Sequence, residues 1–193
     1  MMMHVLQHRR RRPAKWGHYR LSYTLSKSMN NVGENFFSSP IDPFDISKDW
    51  GRSDNDQRHR LVVSGAIDSR VFQFNTMLQA YSAPPFNITS GVTTVQGTTG
   101  RRVVDGAFIP RNAGTGSAFF SLSARLRRAF PIGGGRQMEG AVEAFNLTNR
   151  RNDLTRNGNF GSAAYPSSPS ASFRQILGVG DPRTLQLALR VRF

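Results

Sequence analysis

Glu139 and Glu143 are the only closely spaced carboxylates of this chain on a regular element, so they are its nearest approach to a general acid–base pair. On a helix, positions i and i+4 would stand together; on a strand both project to one face. The competing use for them is charge pairing with arginines of a neighbouring segment, such as Arg125 and Arg127. Gly133-Gly134-Gly135 could cradle a phosphate, but no Lys-Ser/Thr follows, so the glycines read as a turn. His4, His8 and His18 have no acidic or cysteine partner at ligand spacing. There is no Gly-x-Ser-x-Gly elbow and no Ser/His/Asp set to argue. Asn87-Ile88-Thr89 and Asn146-Leu147-Thr148 match the glycosylation pattern, which needs a eukaryotic secretory route that nothing else here suggests. The run Arg9 to Arg12, with Trp16 and Tyr19 behind it, could hold a nucleic acid through phosphates and base stacking. It better suits a periplasmic-end or preceding-strand segment of a cut barrel. The expectation is a protein that is not an enzyme, with no catalytic, cofactor-binding or metal-binding residues.

The elements that must carry these residues are more informative. The chain has 193 residues, enough for one domain with a core. Hydrophobic residues make up only 38% and charged ones 20%, low in apolar content for an ordinary globular domain. That content suits a sheet in which every second residue faces lipid. No run of eighteen apolar residues occurs, which excludes a transmembrane helix. Cysteine is absent, so disulfides and thiolate sites are excluded. The net charge of +14 points to nucleic acid, an anionic membrane surface, or one part of a larger object whose acid lies elsewhere. The basic run near Met1 is not followed by an apolar core, so no signal peptide is visible; if the protein is exported, its true start lies upstream.

The last twelve residues, Pro182 to Phe193, show the organising pattern. Leu185, Leu187, Leu189, Val191 and Phe193 share one parity; Thr184, Gln186, Ala188, Arg190 and Arg192 share the other. Period two is a strand signal, here with an apolar face and a polar, small or cationic one. The same alternation predicts strands over 16–27, 58–68, 71–82 and 136–147. The segment 118–130 is ambiguous alone. Phe119, Leu122, Leu126 and Phe130 also fit a helical stripe, with Arg125, Arg127 and Arg128 beside it. The neighbouring strands decide it as a strand, with Phe120, Leu122, Ala124, Leu126 and Phe130 outward. Arg128 is the exception on that face, and near the rim it could snorkel to the headgroups.

Residues 28–57, 83–117 and 148–181 read as long loops, and 68–70 and 131–135 as short turns. The connections thus alternate long and short, as in outer-membrane barrels with short periplasmic turns and long outer loops. A terminal Phe193 at the periplasmic rim places every long loop outside. The fold expected is all-β: an antiparallel up-and-down transmembrane β-barrel, of which this chain supplies about six carboxyl-terminal strands. Residues 1–15 are a basic segment, the cut end of barrel sequence; 16–193 are the partial barrel.

Several stretches carry a resemblance. Tyr23-Thr24-Leu25-Ser26-Lys27-Ser28, Asp56-Gln57-Arg58-His59-Arg60-Leu61-Val62, Pro85-Phe86-Asn87-Ile88-Thr89-Ser90-Gly91, Glu143-Ala144-Phe145-Asn146-Leu147-Thr148-Asn149 and Asp181-Pro182-Arg183 occur in that order. Together they resemble the carboxyl-terminal part of TonB-dependent outer-membrane receptors of the Oar-like, carboxypeptidase-regulatory-like group. Thr148 departs from the family's usual Phe. The resemblance implies a twenty-two-stranded barrel in the bacterial outer membrane, closed around a plug that this chain lacks. It implies ligand uptake powered through TonB, with TonB contacted only through that missing plug, and an unidentified extracellular ligand held by the loops. Outer-membrane lipid and the barrel assembly machinery are the other implied partners, the latter reading Leu185, Leu187, Leu189, Val191 and Phe193. The alternative is a soluble basic β-protein that binds nucleic acid through Arg9 to Arg12, and it is not favoured, because it leaves the lipid-like faces unexplained.

Overall fold

A computed structural model describes residues 2–14, 17–31, 40–92 and 102–193, with side chains from residue 17 onward. Seven long strands run through it: β1 (Met2–Ala14), β2 (Gly17–Asn30), β3 (His59–Asp68), β4 (Gln73–Tyr81), β5 (Phe119–Gly133), β6 (Arg136–Phe145) and β7 (Thr184–Arg192). Each pairs antiparallel with its neighbour in sequence, in the order β1-β2-β3-β4-β5-β6-β7. The sheet curls into a half-barrel. Among the described residues there is no α-helix, only a single 3-10 turn at Ile46–Asp49.

The sequence leads to six strands and the structure has seven. The additional one is the basic segment, whose Arg9, Arg10, Arg11 and Arg12 stand opposite Ser22, Leu21, Arg20 and Tyr19 of β2. Arginines mask the apolar alternation of β1, but a backbone that pairs along its whole length needs no apolar face to do so. The ambiguous segment is a strand, bonded on both sides: Leu126 lies opposite Phe74 of β4 and Val142 of β6. It also runs further than its pattern, through Pro131 to Gly133. A register shift between Pro131 and Gly133 accommodates the proline, which cannot donate to a regular ladder. Gly133, Gly134 and Gly135 then all have positive φ, so the tight reversal needs glycine there.

The sheet has two unlike faces, because directly opposed residues of an antiparallel pair lie on one side. One side carries the row Ile67, Phe74, Leu126, Val142, Leu187 and, two rungs away, Leu21, Val63, Leu78, Leu122. The other carries Ala66, Asn75, Arg125, Glu143, Gln186. The short turns lie at one end, and the long connections at the other. Those connections are not irregular throughout. They contain paired two-residue strands, Pro85–Phe86 with Gly114–Thr115 and Val103–Val104 with Ala107–Phe108, and a longer pair, Asp153–Arg156 with Ile176–Val179. The only packed apolar cluster of buried residues among those described lies here and not in the sheet: Ile88, Val104, Ile109 and Phe160, with Phe86, Tyr165 and Phe173 against it.

Candidate functional site

Three surfaces could do work: the apolar outer face, the polar inner wall, and the assembly formed by the long connections. The outer face is exposed where a soluble protein would cover it. Leu185, Leu187, Leu189 and Phe193 are 67%, 79%, 70% and 92% accessible, and they form one continuous stripe on β7. An exposed apolar band of this extent suits an apolar solvent.

The inner wall is lined by hydrogen-bonding groups. A groove of about 840 Å³ runs along it, bordered by Gln73, Asn75, Gln79, Arg125, Glu143 and Asn152. The two glutamates of β6 both face this wall. Glu139 pairs with Arg127 at 3.5 Å, and Glu143 stands opposite Arg125 in register. Four strand residues separate their Cα atoms by about 13 Å, wider than the carboxylate separations of glycosidase pairs. Charge pairing is thus seen for Glu139, while Glu143 faces Arg125 without an ion pair. Arg125 Nε is buried without a hydrogen-bond partner among the described residues, so this arginine is not fully satisfied by its own sheet.

The long connections are tied to one another by buried polar groups. The Arg102 guanidinium pairs with the Asp49 carboxylate across two connections, both side chains largely buried. Burial pushes the Arg102 guanidinium below its ordinary range and nearby Arg111 adds to this, while Asp49 opposes it. Arg111 pairs with Asp54 at 3.1 Å, and Asn112 donates to the Arg52 carbonyl at 2.8 Å and to Asp54 at 2.6 Å. Arg52 pairs in turn with buried Asp56 at 2.8 Å.

The motif residues of the sequence act in these ties. Asp56 accepts from the Ser28 amide at 2.9 Å, and the Tyr23 hydroxyl meets His59 Nδ1 at 2.8 Å. Asn87 accepts from the Asn112 amide at 2.8 Å. Asn146, at a φ of 46°, donates to the carbonyls of Arg150 at 2.9 Å and Asp181 at 3.0 Å. These positions hold the loops to the barrel rim. Asp49, Arg102, Arg111, Asn112 and Asn152 were not legible as a set. Their one sequence signal is an acidic–basic alternation within polar loops, which does not say which partners meet.

The second and third connections join at a narrow seam. The Thr89 amide donates to the Gly158 carbonyl at 2.9 Å, and the Phe160 amide to the Thr89 carbonyl at 2.8 Å. A Cβ on Gly158 would stand 1.9 Å from the Asn87 carbonyl oxygen. Gly158→Ala is therefore expected to open the seam at a cost of about 1–3 kcal/mol. Amide hydrogen exchange should accelerate at Thr89 and Phe160 and stay unchanged in β3–β6; uniform protection would show that the seam relaxes freely.

Leu185, Leu187, Leu189 and Val191, the residues expected to be read in barrel assembly, lie together on the outer parity of β7, with Phe193 just past its end. Arg9 to Arg12 lie in β1; their side chains, and with them those of His4 and His8, are outside the described residues. Residues 4–108 match the family model described as outer membrane beta barrel domain. No curated protein and no solved structure matches the chain.

Proposed function

The chain belongs to the outer membrane beta barrel domain family and is an outer-membrane protein; on that premise we propose that it forms part of the wall of a TonB-dependent receptor for ligand uptake. The observation that carries this reading is the folded loop assembly at the rim of a polar-walled half-barrel. Such an assembly is built to present a capture surface, and the wall beneath it offers a hydrated path. The five ordered motifs that resemble the Oar-like receptors support the same reading. β1 and β7 each have one partner strand in the sheet, so two edges remain open among the described residues. Open edges are not tolerated in a bilayer, so further receptor strands close the barrel in this reading. TonB acts through the plug domain that such a receptor carries. The barrel assembly machinery reads the outer parity of β7 with Phe193.

Two measurements test this. Deleting Phe193 from the intact receptor is expected to lower its outer-membrane level several-fold; unchanged folded receptor in membrane fractions would refute the assembly signal. For uptake, cells with and without the receptor gene are grown in complex medium, with and without TonB, and depletion of solutes is profiled. A solute whose depletion needs both is the expected result. If none does, the transport reading fails while the membrane placement stands.

A further inference from the structure

At the short-turn end, two arginines lie on the outer parity where the row pattern calls for apolar residues. Arg128 of β5 stands opposite Gly140, which in turn faces Leu189. Arg136 opens β6. Each guanidinium is laid over an outward aromatic ring at the same rim, Arg128 over Phe130 at 4.8 Å and Arg136 over Phe193 at 5.4 Å. Both arginines are exposed, and neither guanidinium makes an ion pair or hydrogen bond with a described residue. Arg127, on the inner parity beside them, is by contrast matched by Glu139. Stacking on a ring fixes a guanidinium while leaving its in-plane N–H donors free, the arrangement that binds a phosphate. Gly140 shares the rung of Arg128, next to the Leu126, Val142, Leu187 row, and an added Cβ there would meet nothing within 4 Å. The outer face is therefore notched at that point.

We propose that this corner is a binding site for an anionic glycerophospholipid, with Arg128 and Arg136 holding the headgroup phosphodiester and the notch at Gly140 taking the upper part of an acyl chain. Charge complementarity selects an anionic headgroup. The apolar row below selects a lipid over a free anion. The short-turn end selects the periplasmic leaflet, where glycerophospholipids lie. The site rests on the outer-membrane placement and is independent of what the receptor transports.

The test uses the protein extracted in mild detergent from bacterial outer membranes, with retained lipid read by native mass spectrometry. Phosphatidylglycerol retention is expected to fall about tenfold in R128Q/R136Q. It should be unchanged in R190Q/R192Q, which removes equal charge from the inner parity of the same rim. Equal losses in both variants would reduce the site to general electrostatics and overturn it. G140L keeps both charges, and an added side chain has space there; it is expected to lower retention as well, so a full complement of lipid in G140L overturns the acyl notch. Release of the lipid by excess inorganic phosphate, or preferential retention of lipid A, would also overturn the proposal, the first by showing a free-anion site and the second by placing it in the other leaflet. If R128Q/R136Q fails to reach the membrane, the G140L arm alone decides.

Discussion

Replacing Leu187 by arginine is expected to cost about 2–4 kcal/mol of stability in a bilayer, the depth-dependent penalty for a cation on the lipid face of a β-barrel. Leu187 is 79% exposed and continues the row Phe74, Leu126, Val142 across the sheet. Its rung lies between Leu185 and Leu189, so a guanidinium there is several residues from either rim and has the longest way to snorkel. The neighbouring substitution Gln186→Arg is the internal control. Gln186 stands opposite Glu143 on the inner wall, where a cation meets water and a carboxylate. Denaturant titration of the receptor in phospholipid vesicles should show a lowered midpoint for Leu187→Arg and a midpoint within about 0.5 kcal/mol of the parent for Gln186→Arg. Equal midpoints would mean that the two parities do not separate lipid from lumen.

The second large effect is expected at the rim. Arg102→Met leaves the Asp49 carboxylate buried without its cation, a loss of about 3–5 kcal/mol when one partner of a buried pair is removed. Much of this is the desolvation of the orphaned charge, so the double replacement Arg102→Met with Asp49→Leu should recover a large part of it. The damage should be confined. Arg102 also donates to the Ile109 carbonyl at 3.3 Å, and Ile109 is fully buried in the loop cluster, so the second connection loosens from the first. The β3–β6 ladder does not depend on that contact. Hydrogen exchange read peptide by peptide should show loss of protection over residues 102–112 in the single variant, partial return in the double, and no change in β4 and β5. Global unfolding in the single variant would show instead that loop assembly and sheet fold as one unit.

Much of the sheet was legible without coordinates. Period-two patterns located β2 to β7 within a few residues, and their parities match the register rows. The ambiguous stripe in β5 is resolved by its neighbours, since a strand between two strands satisfies both of its backbone edges. β1 was harder, because four successive arginines hide any alternation. Strand ends were least legible: β2 runs on to Asn30, where it pairs with Gly51, and β5 continues through a proline-bearing irregularity.

The loops were legible as motifs and not as a structure. Tyr23, Ser28, Asp56, Asn87, Asn146 and Asp181 could be picked out as recurring words, and their common task is to bond across connections. Asn112, which meets Asn87, lies 25 residues away, and Arg102 and Arg111 reach Asp49 and Asp54 over 53 and 57 residues.

By itself, the sequence of this protein determined the class of fold, the two faces of each strand after the first and the end at which the long connections gather. Those properties follow from local periodicity and connection length, both carried by neighbouring residues. Only the tertiary structure decided that the long connections form a packed, ion-paired assembly. It alone showed that Glu139 serves Arg127 on the adjacent strand, and that Arg128 and Arg136 sit on aromatic rings on the lipid face. These depend on which distant groups meet in space, and a polar loop residue bonds equally well to many partners until the chain brings one of them near.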